Sequence, residues 1–135
     1  MINRLTSLSI AVWDIDEALP PYLNILGLEP VGERRTSDRG FDLHWQALGH
    51  GEVAFLELIA PIGDDGPIAK FLKRYGEGVY QIRLEADRVE TTLDEIEARG
   101  GRVIRDRPPG PDRNPLGWIH PSTTHGVLVE VVEEG

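Results

Sequence analysis

The order of elements in this chain occurs twice, and that narrows its fold more than any other feature. Ser7-Leu8-Ser9-Ile10-Ala11-Val12 and Gln81-Ile82-Arg83-Leu84-Glu85-Ala86 are matching runs, each succeeded by a helical stretch with a glycine stop. Each half then reaches a strand with one carboxylate at its centre, Leu56-Glu57-Leu58 and Val129-Glu130-Val131. A repeated order of this kind points to two related supersecondary units stacked side by side. The expected fold is α+β, with two paired βαβββ modules forming a curved mixed sheet, a trough with polar inner faces. Module one is expected at residues 4–62, a connecting helix at 66–76 and module two at 78–133, all within one domain of 135 residues.

Strand periodicity and turn chemistry supply the detail. Leu5 to Val12 alternates, with Leu8, Ile10 and Val12 on one face and Ser7, Ser9 and Ala11 on the other. Asp14 or Asp16 caps the next turn, and Pro20-Pro21 suits a first helical turn, so a helix is expected from near Leu19 to Gly27. Strands are expected over Val31 to Ser37, Phe41 to Leu48 and Val53 to Ile59, joined at Asp38-Arg39-Gly40 and Gly49-His50-Gly51. Pro67 opens a short helix ending near Tyr75, and Val79 to Glu85 is a strand. A helix over Val89 to Ala98 stops at Gly100-Gly101, before short strands at Arg102 to Arg105, Trp118 to His120 and Val127 to Val132. Asp106 to Gly117 contains four prolines and is either a binding lid or a stiff surface crossing.

Composition removes several function classes. With no cysteine, disulfides and thiolate metal centres are excluded. A formal charge of −9 disfavours nucleic acid and anionic membrane as partners. The start, Met1-Ile2-Asn3-Arg4, lacks a signal-peptide core and no apolar run is long enough to span a bilayer, so a cytoplasmic protein is expected. Arginines gather at Arg34, Arg35 and Arg39 and at Arg99, Arg102, Arg105 and Arg107, either as solvated strand flanks or as anchors for an anionic ligand.

Alternation also assigns the polar side chains to faces. Leu43, Trp45 and Ala47 leave Asp42, His44 and Gln46 opposite, and Leu56 and Leu58 leave Glu57 opposite. Gln81, Arg83 and Glu85 oppose Ile82 and Leu84, while Leu128, Glu130 and Val132 oppose Val127, Val129 and Val131. A carboxylate in so apolar a strand is costly unless solvated, paired or bound to a cation. Glu57 and Glu130, with His44, are therefore the candidate acid–base groups. Gln46, Gln81, Arg83 and Trp118 are candidates for holding a ligand, although each has an ordinary structural use as well.

These stretches resemble the vicinal oxygen chelate (glyoxalase/bleomycin-resistance) superfamily, and within it the methylmalonyl-CoA epimerase-like branch. The resemblance is carried by Leu8 to Val12, Ile25-Leu26-Gly27-Leu28, Leu56-Glu57-Leu58-Ile59-Ala60-Pro61, Pro67-Ile68-Ala69-Lys70-Phe71-Leu72, His120-Pro121 and Gly126 to Glu130. It implies the glyoxalase-like fold, a homodimer, and a divalent metal holding an enolate while acid–base residues move an α-proton. The ligands in such proteins lie on the first and last strands of each half. Glu57 and Glu130 match two of those positions, but Ser7 and Gln81 stand where histidines are usual. Serine and glutamine are poor transition-metal ligands, so no tight metal site of the family type is expected and no cofactor is required; a hard divalent ion held weakly is the most these donors would support. Enolate stabilisation would then fall to Arg83, Gln81, His44 or Trp118, with Ser7 among the residues contacting substrate and Asp38 a candidate second proton shuttle.

Two functions fit these residues. The first is a divergent epimerase-like isomerase or lyase doing acid–base chemistry on a small organic acid or acyl-CoA. The alternative is a metal-free protein that binds or sequesters a hydrophobic small molecule, using Trp13, Trp45 or Trp118 as stacking surfaces.

Overall fold

Small polar and apolar residues alternate through β1 (Ile2–Ala11), the first strand of a computed structural model that describes residues 1–37, 42–106 and 116–133. The chain forms two compact units, Ser7–Tyr80 and a second that joins Met1–Thr6 to the chain from Gln81 onward.

In the Ser7–Tyr80 unit the strands lie in the order β2 (Glu29–Pro30), β4 (Leu43–His50), β5 (Val53–Pro61) and β1, with β3 (Arg35–Thr36) also pairing β4. β1 and β5 are parallel, Ser9 facing Glu57 and Ile10 facing Leu58; β4 is antiparallel to β5, Ala47 facing Glu57 and Gln46 facing Leu58. One face packs Val12, Leu48, Leu58 and Ala60 against Ile15 of α1 (Ile15–Pro20). On the other face, Ala11 and Ile59 are covered by Ile68 and Leu72 of α2 (Pro67–Tyr75). Phe71 meets the Tyr80 ring edge-on at 5.0 Å, and burial there raises the Tyr80 phenol pKa above its usual value.

The second unit orders its strands β6 (Gly78–Ala86), β9 (Leu128–Glu133), β8 (Leu116–Ile119) and β7 (Val103–Asp106). β6 and β9 are parallel with Arg83 facing Glu130, and β8 is antiparallel to β9 with Trp118 facing Glu130. α3 (Val89–Ala98) places Val89 and Leu93 on Ala86, Ile119, Val129 and Val131. The pairing of each half is thus the same: a central carboxylate strand, a parallel neighbour on one side and an antiparallel one on the other.

Two expected elements need correction. The first helix begins at Ile15, not Leu19, because Asp14 is its cap and accepts from the Glu17 N–H at 3.2 Å. Asp16 instead pairs with Arg34 at 2.6 Å, and that guanidinium holds its carboxyl below the usual range. Pro20 and Pro21 close this helix rather than open it. Neither has an N–H to donate, so the ladder loosens into a π-helical turn over Pro21–Ile25, with the Leu26 N–H reaching the Pro21 carbonyl at 3.0 Å. The second correction concerns Val31 to Ser37. This segment is not one strand, because Gly32 adopts φ +74°, a left-handed conformation that breaks extended pairing and leaves the short β2 and β3 on either side.

Gly49 sits at a register shift between β4 and β5, where an added Cβ would lie 1.8 Å from the Val53 carbonyl oxygen. Backbone cannot yield as a flexible side chain would. Gly49→Ala is expected to cost about 3 kcal/mol, read from urea unfolding. Among the described residues no helix is long and apolar enough to cross a membrane.

Candidate active site

Parallel pairing brings one polar residue of the first strand beside the carboxylate in each half. On the Ser7–Tyr80 unit the Ser9 hydroxyl donates to Glu57 Oε1 at 2.8 Å, with Glu57 only 7% exposed. Ser7 lies two residues earlier on the same face of β1 and is also buried. On the other unit Glu130, 6% exposed, accepts at Oε2 from Gln81 Nε2 at 2.6 Å and from Arg83 Nη2 at 3.2 Å. Both carboxylates therefore meet the requirement that a buried charge be hydrogen-bonded.

The partners differ in a way that separates the two carboxylates chemically. A serine hydroxyl can donate or accept, so the Ser9 bond survives when a proton arrives on Glu57 or leaves it. Glu130 Oε2 faces N–H groups from an amide and a guanidinium, and a guanidinium has no acceptor to offer in exchange. The Ser9 bond can thus reverse its direction, whereas the bonds from Gln81 and Arg83 require an acceptor oxygen on Glu130.

The second unit extends this arrangement into a row. Arg83 faces Glu130, Glu130 faces Trp118, and Trp118 faces Ile104, each on the next strand across β6, β9, β8 and β7. Cation, anion, aromatic ring and aliphatic chain stand side by side, with Ile104 46% exposed. The equivalent row in the first unit is Ser9, Glu57 and Ala47.

His44 and Gln46 do not join Glu57. The register puts Ala47 opposite Glu57, so Leu43, Trp45 and Ala47 share the Glu57 face, while His44 and Gln46 fall on the face that α1 covers. Gln46 Nε2 donates to the carbonyls of Gly32 and Ala47, and exposed His44 bonds the Thr36 hydroxyl through Nδ1 at 2.9 Å. Alternation misassigned them because both faces of this sheet are helix-covered, one by α1 and one by α2, so apolar residues do not mark a single inside.

Ser9 is the residue whose part the sequence understated. Its phase with Ser7 was visible, but only the parallel register with β5 puts it on Glu57. Glu85, also buried, shares the Arg83 face and is approached by Arg4 Nε at 3.3 Å. Several of the gathered arginines are in surface ion pairs, Arg34 with Asp16, Arg99 with Glu95, and Arg105 with Asp94 and Glu97. Arg35 lies over the Trp45 ring at 5.7 Å. Trp13 is half exposed, its backbone N–H held by Glu77. Asp38, Arg39, Arg107 and most of the proline-rich segment fall outside the described residues.

The donor chemistry does not fit a divalent transition ion. No three histidine, cysteine, aspartate or glutamate side chains gather among the described residues. The Glu57 carboxylate accepts from a serine hydroxyl, a poor metal ligand, and a metal on Glu130 Oε2 would have to displace an amide donor and sit against the Arg83 guanidinium, a like charge.

Residues 8–115 match the Glyoxalase/Bleomycin resistance protein/Dioxygenase superfamily. The chain is 32% identical to the ethylmalonyl-CoA/methylmalonyl-CoA epimerase of Cereibacter sphaeroides over 134 residues, covering 97% of this chain and 98% of that one. A crystal structure of methylmalonyl-CoA epimerase from Mycobacterium tuberculosis superposes with a TM-score of 0.84 at 28% identity, covering 99% of this chain and 89% of the other. A Streptomyces coelicolor methylmalonyl-CoA epimerase in complex with 2-nitronate-propionyl-CoA gives 0.85 at 26% identity, over 100% and 99% of the two chains. With the same fold, and matched along nearly its whole length, this chain belongs to the glyoxalase/bleomycin resistance/dioxygenase superfamily.

Proposed function

We propose that the protein is an epimerase-like isomerase acting on a 2-substituted acyl-CoA, with Glu57 as the group that moves the α-proton. The observation that carries this reading is the Ser9–Glu57 pair, a buried carboxylate whose hydrogen bond tolerates both protonation states, in a chain similar throughout to methylmalonyl-CoA epimerases. Glu57 takes the proton from the carbon next to the thioester carbonyl, and the C–H electron pair becomes the enolate C=C bond as the carbonyl π pair moves to oxygen. Return of the proton from Glu57 to the same face regenerates the starting isomer, and delivery of a proton from water to the opposite face of the planar enolate gives the epimer, the proton on Glu57 then passing to solvent. The proposed scheme uses side chains alone, since a serine hydroxyl beside Glu57 and a guanidinium beside Glu130 are poor company for a divalent ion.

The test is α-proton exchange of methylmalonyl-CoA and ethylmalonyl-CoA in D2O, monitored by NMR on metal-stripped protein. Deuterium wash-in well above the enzyme-free rate is expected for at least one of them. Binding without exchange would move the assignment to the second reading, a binding protein for a hydrophobic small molecule, which draws on Trp118 and the half-exposed Ile104. A cytoplasmic homodimer belongs to the same proposal, and sedimentation velocity on the purified protein tests its oligomeric part.

A further inference from the structure

The consecutive prolines that end the first helix also shape a cavity. Pro20 and Pro21 lack N–H groups, so the chain from Pro21 to Ile25 runs as a loose π-helical turn, a local form recurrent at functional sites. Between this turn and β1 lies a cavity of about 360 Å3, a size that takes a small organic molecule. Ile10 and Val12 line it from the β1 side, and Ala18, Pro21 and Tyr22 from the helical side. Its charged lining residues are both carboxylates, Glu17 and Glu77. Glu77 Oε2 accepts from the Trp13 backbone N–H at 3.0 Å, which fixes that carboxylate, and with about four lone-pair sites it keeps further acceptor capacity. The Glu17 carboxylate has no hydrogen-bond or ion-pair partner among the described residues. Every lining residue belongs to the Ser7–Tyr80 unit.

We infer that this cavity binds a protonated amine with an apolar body, its ammonium held by Glu17 and Glu77 and its hydrocarbon laid between β1 and the π-helical turn. Charge complementarity selects the occupant. Two carboxylates with no basic residue in the lining repel an anionic acid and give a neutral molecule no ionic partner, whereas an ammonium offers them three N–H donors. The apolar walls then discriminate among cations. Methylammonium gains nothing from Ile10, Val12 and Pro21, while a longer chain buries its methylenes against them. A formal charge of −9 draws cations to the whole surface, so the apolar body is what distinguishes this site from a general attraction. The inference goes beyond the proposed isomerase, because Ser9 and Glu57 lie on the opposite face of the sheet from Ile10 and Val12.

Hexylammonium is the probe, with 1-hexanol and hexanoate as its neutral and anionic counterparts and methylammonium as the cation without a chain. Each is titrated into 15N-labelled protein by NMR in about 0.15 M NaCl, which screens the diffuse surface attraction. Hexylammonium is expected to bind saturably and to shift the Trp13 and Ala18 amides together. Hexanol and methylammonium should each bind at least about tenfold more weakly, and hexanoate more weakly still. Glu17→Gln should weaken hexylammonium about threefold or more, and Glu17→Gln/Glu77→Gln should bring it to the level of hexanol. Glutamine at position 77 retains an oxygen for the Trp13 N–H, and Glu17 makes no such bond, so both variants read the charge in a folded protein. The inference is overturned if hexylammonium does not saturate, if hexanol or methylammonium binds within about twofold of it, or if the double variant binds it within about twofold of wild type. None of these outcomes depends on α-proton exchange, so the isomerase proposal can fail while this one stands, and the reverse.

Discussion

Glu57→Gln is expected to lower α-proton exchange by about three orders of magnitude while the protein stays folded. The substitution keeps the size of the side chain and its bond to Ser9, whose hydroxyl can pair with either end of an amide, so unfolding free energy should shift by less than about 1 kcal/mol. What is lost is the only property that glutamine cannot supply, a basic oxygen, and positioned general bases contribute roughly 10²- to 10⁴-fold. Measured in D2O against wild type, exchange reduced less than tenfold would remove Glu57 from the proton-transfer step. Ser9→Ala is expected to have a smaller effect, about tenfold in rate, because it removes a positioning bond and leaves the base in place. If the protein is instead a binding module, Glu57→Gln leaves ligand affinity roughly intact and there is no turnover to lose.

The second large effect concerns stability. Arg83→Ala deletes the cation from a pair whose carboxylate is nearly sealed from water, leaving Glu130 with the Gln81 amide as its named donor. Breaking a buried ion pair from one side costs about 3 to 5 kcal/mol, and the partial exposure of Arg83 puts the expected loss near the lower figure, about 3 kcal/mol in urea unfolding. Glu130→Gln in the same background should recover most of that loss, since a neutral amide does not carry the desolvation cost of an unpaired carboxylate. A double-mutant cycle then gives the coupling energy directly. Strict additivity of the two substitutions would mean that Arg83 and Glu130 do not act as a pair.

Strand phase was the most legible part of the fold. In β1 and β6 one face is mainly apolar and the other mainly polar, and the face assignments made from alternation there and in β9 agree with the packing of Ile10, Val12, Val129 and Val131. β4 was not legible in this way. Its two faces are covered by different helices, and a strand that is buried on both sides has no hydrophilic face to announce which way Gln46 points. The first helix failed for another reason. Pro20-Pro21 is compatible with a helix start and with a helix end, and the choice rests on whether Asp14 reaches the Glu17 N–H.

The candidate site divides along the same line. Sequence by itself determined the family-level fold and the two central carboxylates, because residue identity and period-two alternation are local properties. Tertiary structure decided the partners. Register between strands far apart in sequence puts Ser9 on Glu57 and Arg83 on Glu130, and it sets Trp118 and Ile104 in line with that pair. A shift of one residue in any of these pairings would turn the side chains to the opposite face, so the chemistry of each carboxylate is a product of register, which no local pattern encodes.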